Sequence, residues 1–393
     1  MRLPFVIIAV LACLLVPLAL RSSDDTAGAG RPATPIATIA RRVEAVRHLR
    51  YETIPKPLDV SPATATKEGL ADLDRDYPAA ARHGDEALYT LLGLLPPKAD
   101  LRTISGSIFG EQVAGYYDPS DGRLRIVKGG AVSDPILGEI TIAHELDHAL
   151  EDQAIGIDTK RASAGGDGAL AYTALVEGTA TAVMFTYLER FFKREDALGA
   201  VFGSAFSGGS TAGIPPFTLA GLLFPYTAGR NFVANLYKRA GNGWRLIDEA
   251  ERTRPPVSTE QILHPEKWVA REAPERVTLP GPPAGFHTLT KGTFGEFQTG
   301  QLVANTGAAT GWGGDGYAVY RRGDGPCDTP CRSRDVLIMR WRWDTPDAQH
   351  NFQAALRDYA DGLRVPGKHV IEGPDGVTLV LAPTAAQAGA FGA

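Results

Sequence analysis

His144, Glu145 and His148 fall within five consecutive residues, His144-Glu145-Leu146-Asp147-His148. Residues four apart on an α-helix share one face, about 40° apart and roughly 6 Å along the axis. Two imidazoles placed in this way can hold one metal ion. Glu145 is offset by about 100°, so it can reach a water on that metal without ligating it. The chemistry this spacing suits is hydrolysis by a metal-activated water. The plainer alternative is a solvated helix face. That alternative explains poorly why two of only 8 histidines in 393 residues stand four apart around a glutamate.

A catalytic zinc ion takes three protein ligands and one water. Glu177, in Ala174-Leu175-Val176-Glu177-Gly178-Thr179-Ala180-Thr181, is the candidate third ligand. It shares a helical face with Thr173, Thr181, Met184 and Leu188. A carboxylate in such a stripe needs a cation or a hydrogen-bond partner. An ordinary salt bridge meets the same need. Asp147, Glu151 and Asp152 are rival ligands, but they share the histidines' own helix and geometry disfavours them. They read as solvated acids or as supports for the histidines.

Two helices must position these groups. Residues 135–153 read as the first, with Asp134 as N-cap, Pro135 at the first helical position and Gly156 as the stop. Ile142, Leu146, Ala149 and Leu150 form its apolar stripe, opposite His144 and His148. Residues 169–193 read as the second, with Asp167 as N-cap. Gly178 interrupts a good helical pattern, which points to close approach of another group. Upstream, residues 113–127 read as a β-hairpin turning at Asp118-Pro119-Ser120-Asp121-Gly122.

HELDH followed by a glutamate on a second helix resembles the gluzincin group of zinc metallopeptidases. The resemblance implies Zn2+ held by His144, His148 and Glu177, with Glu145 as general base and a peptide or protein as substrate. It implies an α+β, zincin-like fold in which the second helix runs antiparallel to the first. It also implies that the hairpin is a platform on which extended peptide adds as a strand. The 29 residues from His148 to Glu177 are more than in thermolysin-like members, and residues 155–166 are the extra loop. Those relatives often carry an aspartate four residues after the glutamate to support a histidine. Here Thr181 stands there, which leaves Asp147, Asp152 or a backbone carbonyl for that task. HELDHALEDQ, ALVEGTAT, FPYTAGRNFV and STEQILHPEKW together look like a poorly characterised set of exported prokaryotic HExxH proteins, over roughly residues 100–270.

Amide hydrolysis also needs a donor for the oxyanion. His264 and Tyr226 are the candidates, and a purely structural role is open to each. Ser258 with Gln261 reads as a capping box, and Pro265 forces His264 toward extended backbone. Tyr226 stands just before a helix through Tyr237. Tyr172 and Tyr187 flank Glu177 but read as core.

The formal charge is −5 with 22% charged residues, an ordinary globular balance. There is no basic stripe, so nucleic acid is not an expected partner. Residues 3–20 are uncharged and mainly apolar after Met1-Arg2, and read as a signal peptide or signal anchor within residues 1–22. This implies an exported, extracellular or cell-surface protein, with the segment able to serve as a single membrane anchor. Residues 23–36 read as a flexible tether, 37–280 as the catalytic domain and 281–393 as a C-terminal α+β unit. Cys327 and Cys331, in one loop, suit a short disulfide in an oxidising setting. Residues 37–49 and 72–94 read as helices. In the C-terminal unit residues 316–321 and 336–343 alternate like strands, 346–363 reads as a helix, 369–382 as a hairpin, and 384–393 as frayed. Two rival readings stand beside the peptidase: a non-catalytic surface protein with zinc as a structural clamp, and a zinc hydrolase of a non-peptide amide or ester.

Overall fold

The computed structural model describes residues 34–112, 115–128, 135–193, 213–325, 327, 329–374 and 376–392. The segment 3–20, the tether up to residue 33, Asp134 and residues 194–212 lie outside them.

The protein is mixed α and β. Its N-terminal part runs α1 (Ile36–Arg47), β1 (Pro57–Val60), α2 (Pro62–Asp76), α3 (Ala79–Leu91), α4 (Leu101–Gln112), β2 (Gly115–Asp118), β3 (Arg123–Val127), α5 (Pro135–Ala154), α6 (Thr159–Ser163) and α7 (Gly166–Phe191). Then follow α8 (Pro216–Phe224), a π-helical turn (Pro225–Gly229), α9 (Arg230–Arg239), α10 (Arg245–Arg252), α11 (Thr259–Leu263) and α12 (Pro265–Ala270). The C-terminal part comprises β4 (Phe286–Gly292), α13 (Gly295–Leu302), β5 (Trp312–Arg322), β6 (Asp335–Trp343), α14 (Pro346–Gly362), β7 (Gly367–Gly373), β8 (Gly376–Ala382) and α15 (Ala385–Gly392).

Two sheets result. The small one has the order β1-β3-β2, with β1 parallel and β2 antiparallel to the central β3. The second is antiparallel throughout, in the order β4-β5-β6-β8-β7. One apolar core runs through both parts, from Ile39 and Val43 on α1 to Leu379 and Leu381 on β8. Trp341 and Trp343 alternate onto one face of β6, and both rings pack on Phe352 of α14. Cys327 and Cys331 form a disulfide, and the loop between them offers the Thr329 carbonyl to the Lys98 amide.

Residues 72–94 are two helices, because Pro78 disfavours helical backbone at Tyr77, which sits at ψ 75°. Residues 385–392 form a helix: Ala388 is buried and Phe391 stacks edge-on to Phe286. Asp167 is not an N-cap but lies in the first turn of α7, after Gly165. Its buried carboxylate accepts from the amide and hydroxyl of Thr259 instead. The span 155–166 contains the short helix α6, capped by Asp158.

Candidate metal centre

α5 begins at Pro135 and ends where Gly156, at φ +91°, turns the chain back. Leu137, Ile140, Leu146 and Leu150 pack into the core and fix its roll. α7 packs against α5. It is long and apolar enough to cross a membrane by length and composition, yet 83% of its most apolar window is buried inside the protein, so it serves as a core helix. Thr173 and Thr179 return their hydroxyls to carbonyls one turn back, which satisfies them within the helix.

This packing brings His144, His148 and Glu177 together. The two Nε2 atoms are 3.2 Å apart. His144 Nε2 lies 3.2 Å from Glu177 Oε2, and His148 Nε2 lies 3.4 Å from Glu177 Oε1. His144 and Glu177 are 0% exposed and His148 is 5%. Two imidazole nitrogens and a carboxylate are the donor set of a catalytic zinc site. Ligand atoms about 2.0–2.1 Å from a tetrahedral ion stand roughly 3.3–3.4 Å from one another. The observed separations agree with that spacing, so the residues fit a zinc ion.

The electrostatics describe a trio whose charges are strongly linked. Burial would raise Glu177, but the His148 charge and hydrogen bonds from both imidazoles hold it down at about 2. Burial would lower His148, but Glu177, Glu145 and Asp147 together hold it up at about 9. His144 is pushed down by burial, against the pull of Glu177 and of the Ala180 backbone. In the metal-free trio a proton on His148 thus balances Glu177.

Glu145 sits beside this trio, buried, with Oε1 4.0 Å from His144 Nε2. Burial pushes its carboxyl up to about 8. Oε2 accepts from the Tyr117 amide at 2.8 Å, whereas Oε1 has no hydrogen-bond partner among the described residues. Tyr117 lies on β2, the edge of the small sheet, and its outward amide is therefore engaged by Glu145 rather than free for an added strand. This contact left no mark in the sequence, since every residue but proline carries an amide.

Tyr226 stands in the π-helical turn with its ring stacked on His144, centroids 6.2 Å apart. Its hydroxyl is buried beside the Glu177 carboxylate, toward which it can donate. Burial, reinforced by the charges of Glu177 and Glu145, raises it well above the ordinary phenol range. Two glycines allow this approach. A Cβ on Gly178 would stand 2.3 Å from the Gly229 carbonyl carbon, and one on Gly229 would stand 2.0 Å from the Ala174 oxygen.

His264 has other neighbours. Its Nε2 is 2.9 Å from Glu296 Oε1 and its Nδ1 is 3.8 Å from Glu266. Its segment docks through Thr259 on Asp167, ten residues and so about 15 Å along α7 from Glu177. Among the described residues, no hydrogen bond or ion pair of His264 reaches the trio, whereas the Tyr226 ring lies beside it. Ser258 does cap Gln261, but the Gln261 side chain returns to the Val257 amide. Tyr172 and Tyr187 are buried core residues, tied to the Asp158 amide and to Glu139 respectively.

Asp147 and Glu151 are not solvated. Both are buried beside Arg47, whose guanidinium contacts Glu151, Asp248 and Glu251 and lies over the Trp244 ring. Asp147 acts on His148 through its charge, while Asp152 accepts from the Tyr117 hydroxyl at 2.7 Å. A second group of acids, Glu260, Glu272 and Asp344, surrounds the Lys267 ammonium, which already serves as its cation.

A family described as "Domain of unknown function (DUF8575)" matches residues 284–391, the five-stranded sheet with its helices. The match does not include the trio. No curated protein and no solved structure matches the chain.

Proposed function

We propose that this protein is a zinc-dependent metallopeptidase of gluzincin type, with a zincin-like catalytic part. The observation that carries this reading is the convergence of His144, His148 and Glu177, with the ligand atoms of all three within 4.8 Å of one another. Glu145, free at Oε1, stands beside them. The likeness of HELDH and the downstream glutamate to gluzincins supports the same assignment.

Zinc, if held by His144, His148 and Glu177, would supply Lewis acidity and would acidify a water toward a pKa of about 7. Glu145 Oε1 takes the water's proton as the oxygen adds to the scissile carbonyl. It then gives that proton to the leaving amine as the carbon–nitrogen bond breaks. The Tyr226 hydroxyl donates to the oxygen that becomes anionic. Residues 3–20 and the Cys327–Cys331 disulfide support an exported setting.

A structural zinc clamp is the second reading, favoured by the burial of all three ligands. One experiment separates them. The purified chain is assayed for metal content and for cleavage of a mixed peptide library, beside Glu145→Gln. The peptidase reading expects stoichiometric zinc in both, and turnover lower in the variant by about 10²–10⁴. Stoichiometric zinc with no Glu145-dependent cleavage retires it.

A further inference from the structure

Glu145 is a base only while it stays near the metal position without entering it. A carboxylate has a broad, roughly two-fold terminal torsion, so it can present either oxygen. With Oε1 only 4.0 Å from a ligand nitrogen, a small swing would make Glu145 a fourth ligand and close the position that the water needs. Something must restrain it.

We propose that Tyr117 is the positioning residue of Glu145, holding the carboxylate back from the metal so that one coordination position stays open; this rests on the peptidase reading. Tyr117 is gripped at both ends by one stripe of α5. Its amide donates to Glu145 Oε2 at 2.8 Å, and its hydroxyl donates to Asp152 Oδ2 at 2.7 Å. Glu145 and Asp152 are seven residues apart, about two turns, and so on one face. Tyr117 lies along that face as a brace. The β2–β3 ladder fixes its far side, with Tyr117 opposite Leu124 in an antiparallel register. Oε2 is thereby engaged, and Oε1 is the oxygen left to face the trio.

The hairpin thus acts on the base rather than serving as a strand platform at this position. An added peptide strand would need the amide that Glu145 already holds.

Tyr117→Phe removes the hydroxyl latch and keeps the ring. It is expected to lower kcat about tenfold, in the range found when a supporting partner is lost. KM and zinc stoichiometry should stay unchanged. Asp152→Ala breaks the same bond from the α5 side and should show the same loss, so the test stands if the tyrosine variant does not fold. The double variant should be no worse than either single one, because both remove one interaction. Asp152→Asn, which can still bond the hydroxyl, should restore wild-type kcat. Cobalt(II) in place of zinc gives a readout independent of turnover. Its visible spectrum should change in Tyr117→Phe and Asp152→Ala as Glu145 enters the coordination shell, and remain wild-type in Asp152→Asn. Wild-type kcat and cobalt spectrum in Tyr117→Phe, with Glu145→Gln inactive, would overturn the brace and leave the peptidase reading intact. Absence of Glu145-dependent cleavage in the wild type would instead remove the peptidase reading itself.

Discussion

Gly178 and Gly229 meet backbone to backbone, so closely that a methyl group on either would overlap the other's chain or that of Ala174. This contact seats the π-helical turn on α7 one residue from Glu177, and with it the Tyr226 ring on His144. In a solvated helix, Gly178→Ala would stabilise by up to about 1 kcal/mol. Here overlap at 2.3 Å reverses the sign. Gly178→Ala and Gly229→Ala should each destabilise by about 1–3 kcal/mol, as overpacked cores do. Urea denaturation measures this, and a gain in stability for either variant would contradict the contact.

Tyr226→Phe separates stability from turnover. The hydroxyl is buried beside the Glu177 carboxylate, so removing it should cost at most about 3 kcal/mol, the upper range for a hydrogen bond to a charged group. As an oxyanion donor its loss should lower kcat by about 10²–10³ with zinc content intact. Steady-state kinetics and thermal melts on the same sample decide. Unchanged kcat would assign Tyr226 to packing alone.

The legible parts of the site are those set by helical periodicity. His144, His148, Glu177 and the anomaly of Gly178 all follow from what can share a face of a helix. Groups brought in by tertiary packing are not legible in this way. The Tyr117 amide carries no signature, and Arg47 reads as one of many surface cations until α1 is docked between α5 and α10. A proline-flanked histidine such as His264 is conspicuous in the sequence, but which end of α7 its segment docks on is decided by Asp167 and Thr259. In the fold, Pro78 splits a helix-like run, and the tail forms α15 because Phe391 finds Phe286.

Arg47 places its guanidinium among Glu151, Glu251 and Asp248, with Asp147 close by. Arg47→Met should destabilise by about 3–5 kcal/mol, since it leaves buried carboxylates without their cation. The loss should depend on pH. Burial raises Asp147 to about 7 and raises Glu151 as well. A carboxyl whose folded pKa exceeds its unfolded value takes up a proton on folding, so stability falls as pH rises from about 4 through 7. The deficit of Arg47→Met should therefore be smaller at pH 5 than at pH 8. Urea titrations at both values check this; an equal deficit would mean that the acids stay ionised throughout.

The metal-free trio predicts opposite pH trends for folding and for zinc. His148, raised to about 9, contributes stability that is complete below its unfolded value near 6.5 and is lost as pH rises through 9. Glu177, lowered to about 2, contributes stability present above its unfolded value near 4.3 and lost as pH falls through 2. The chelated protein should thus gain most from the pair between about pH 4.3 and 6.5. Zinc must displace the His148 proton, so its affinity should rise about tenfold per pH unit up to about 9. Thermal melts with chelator and with buffered zinc, from pH 5 to 9, should show the metal-free curve declining above pH 6.5 while the zinc-dependent increment grows. An increment that stays constant over this range would mean that zinc binds without releasing that proton, and therefore not through His148 Nε2.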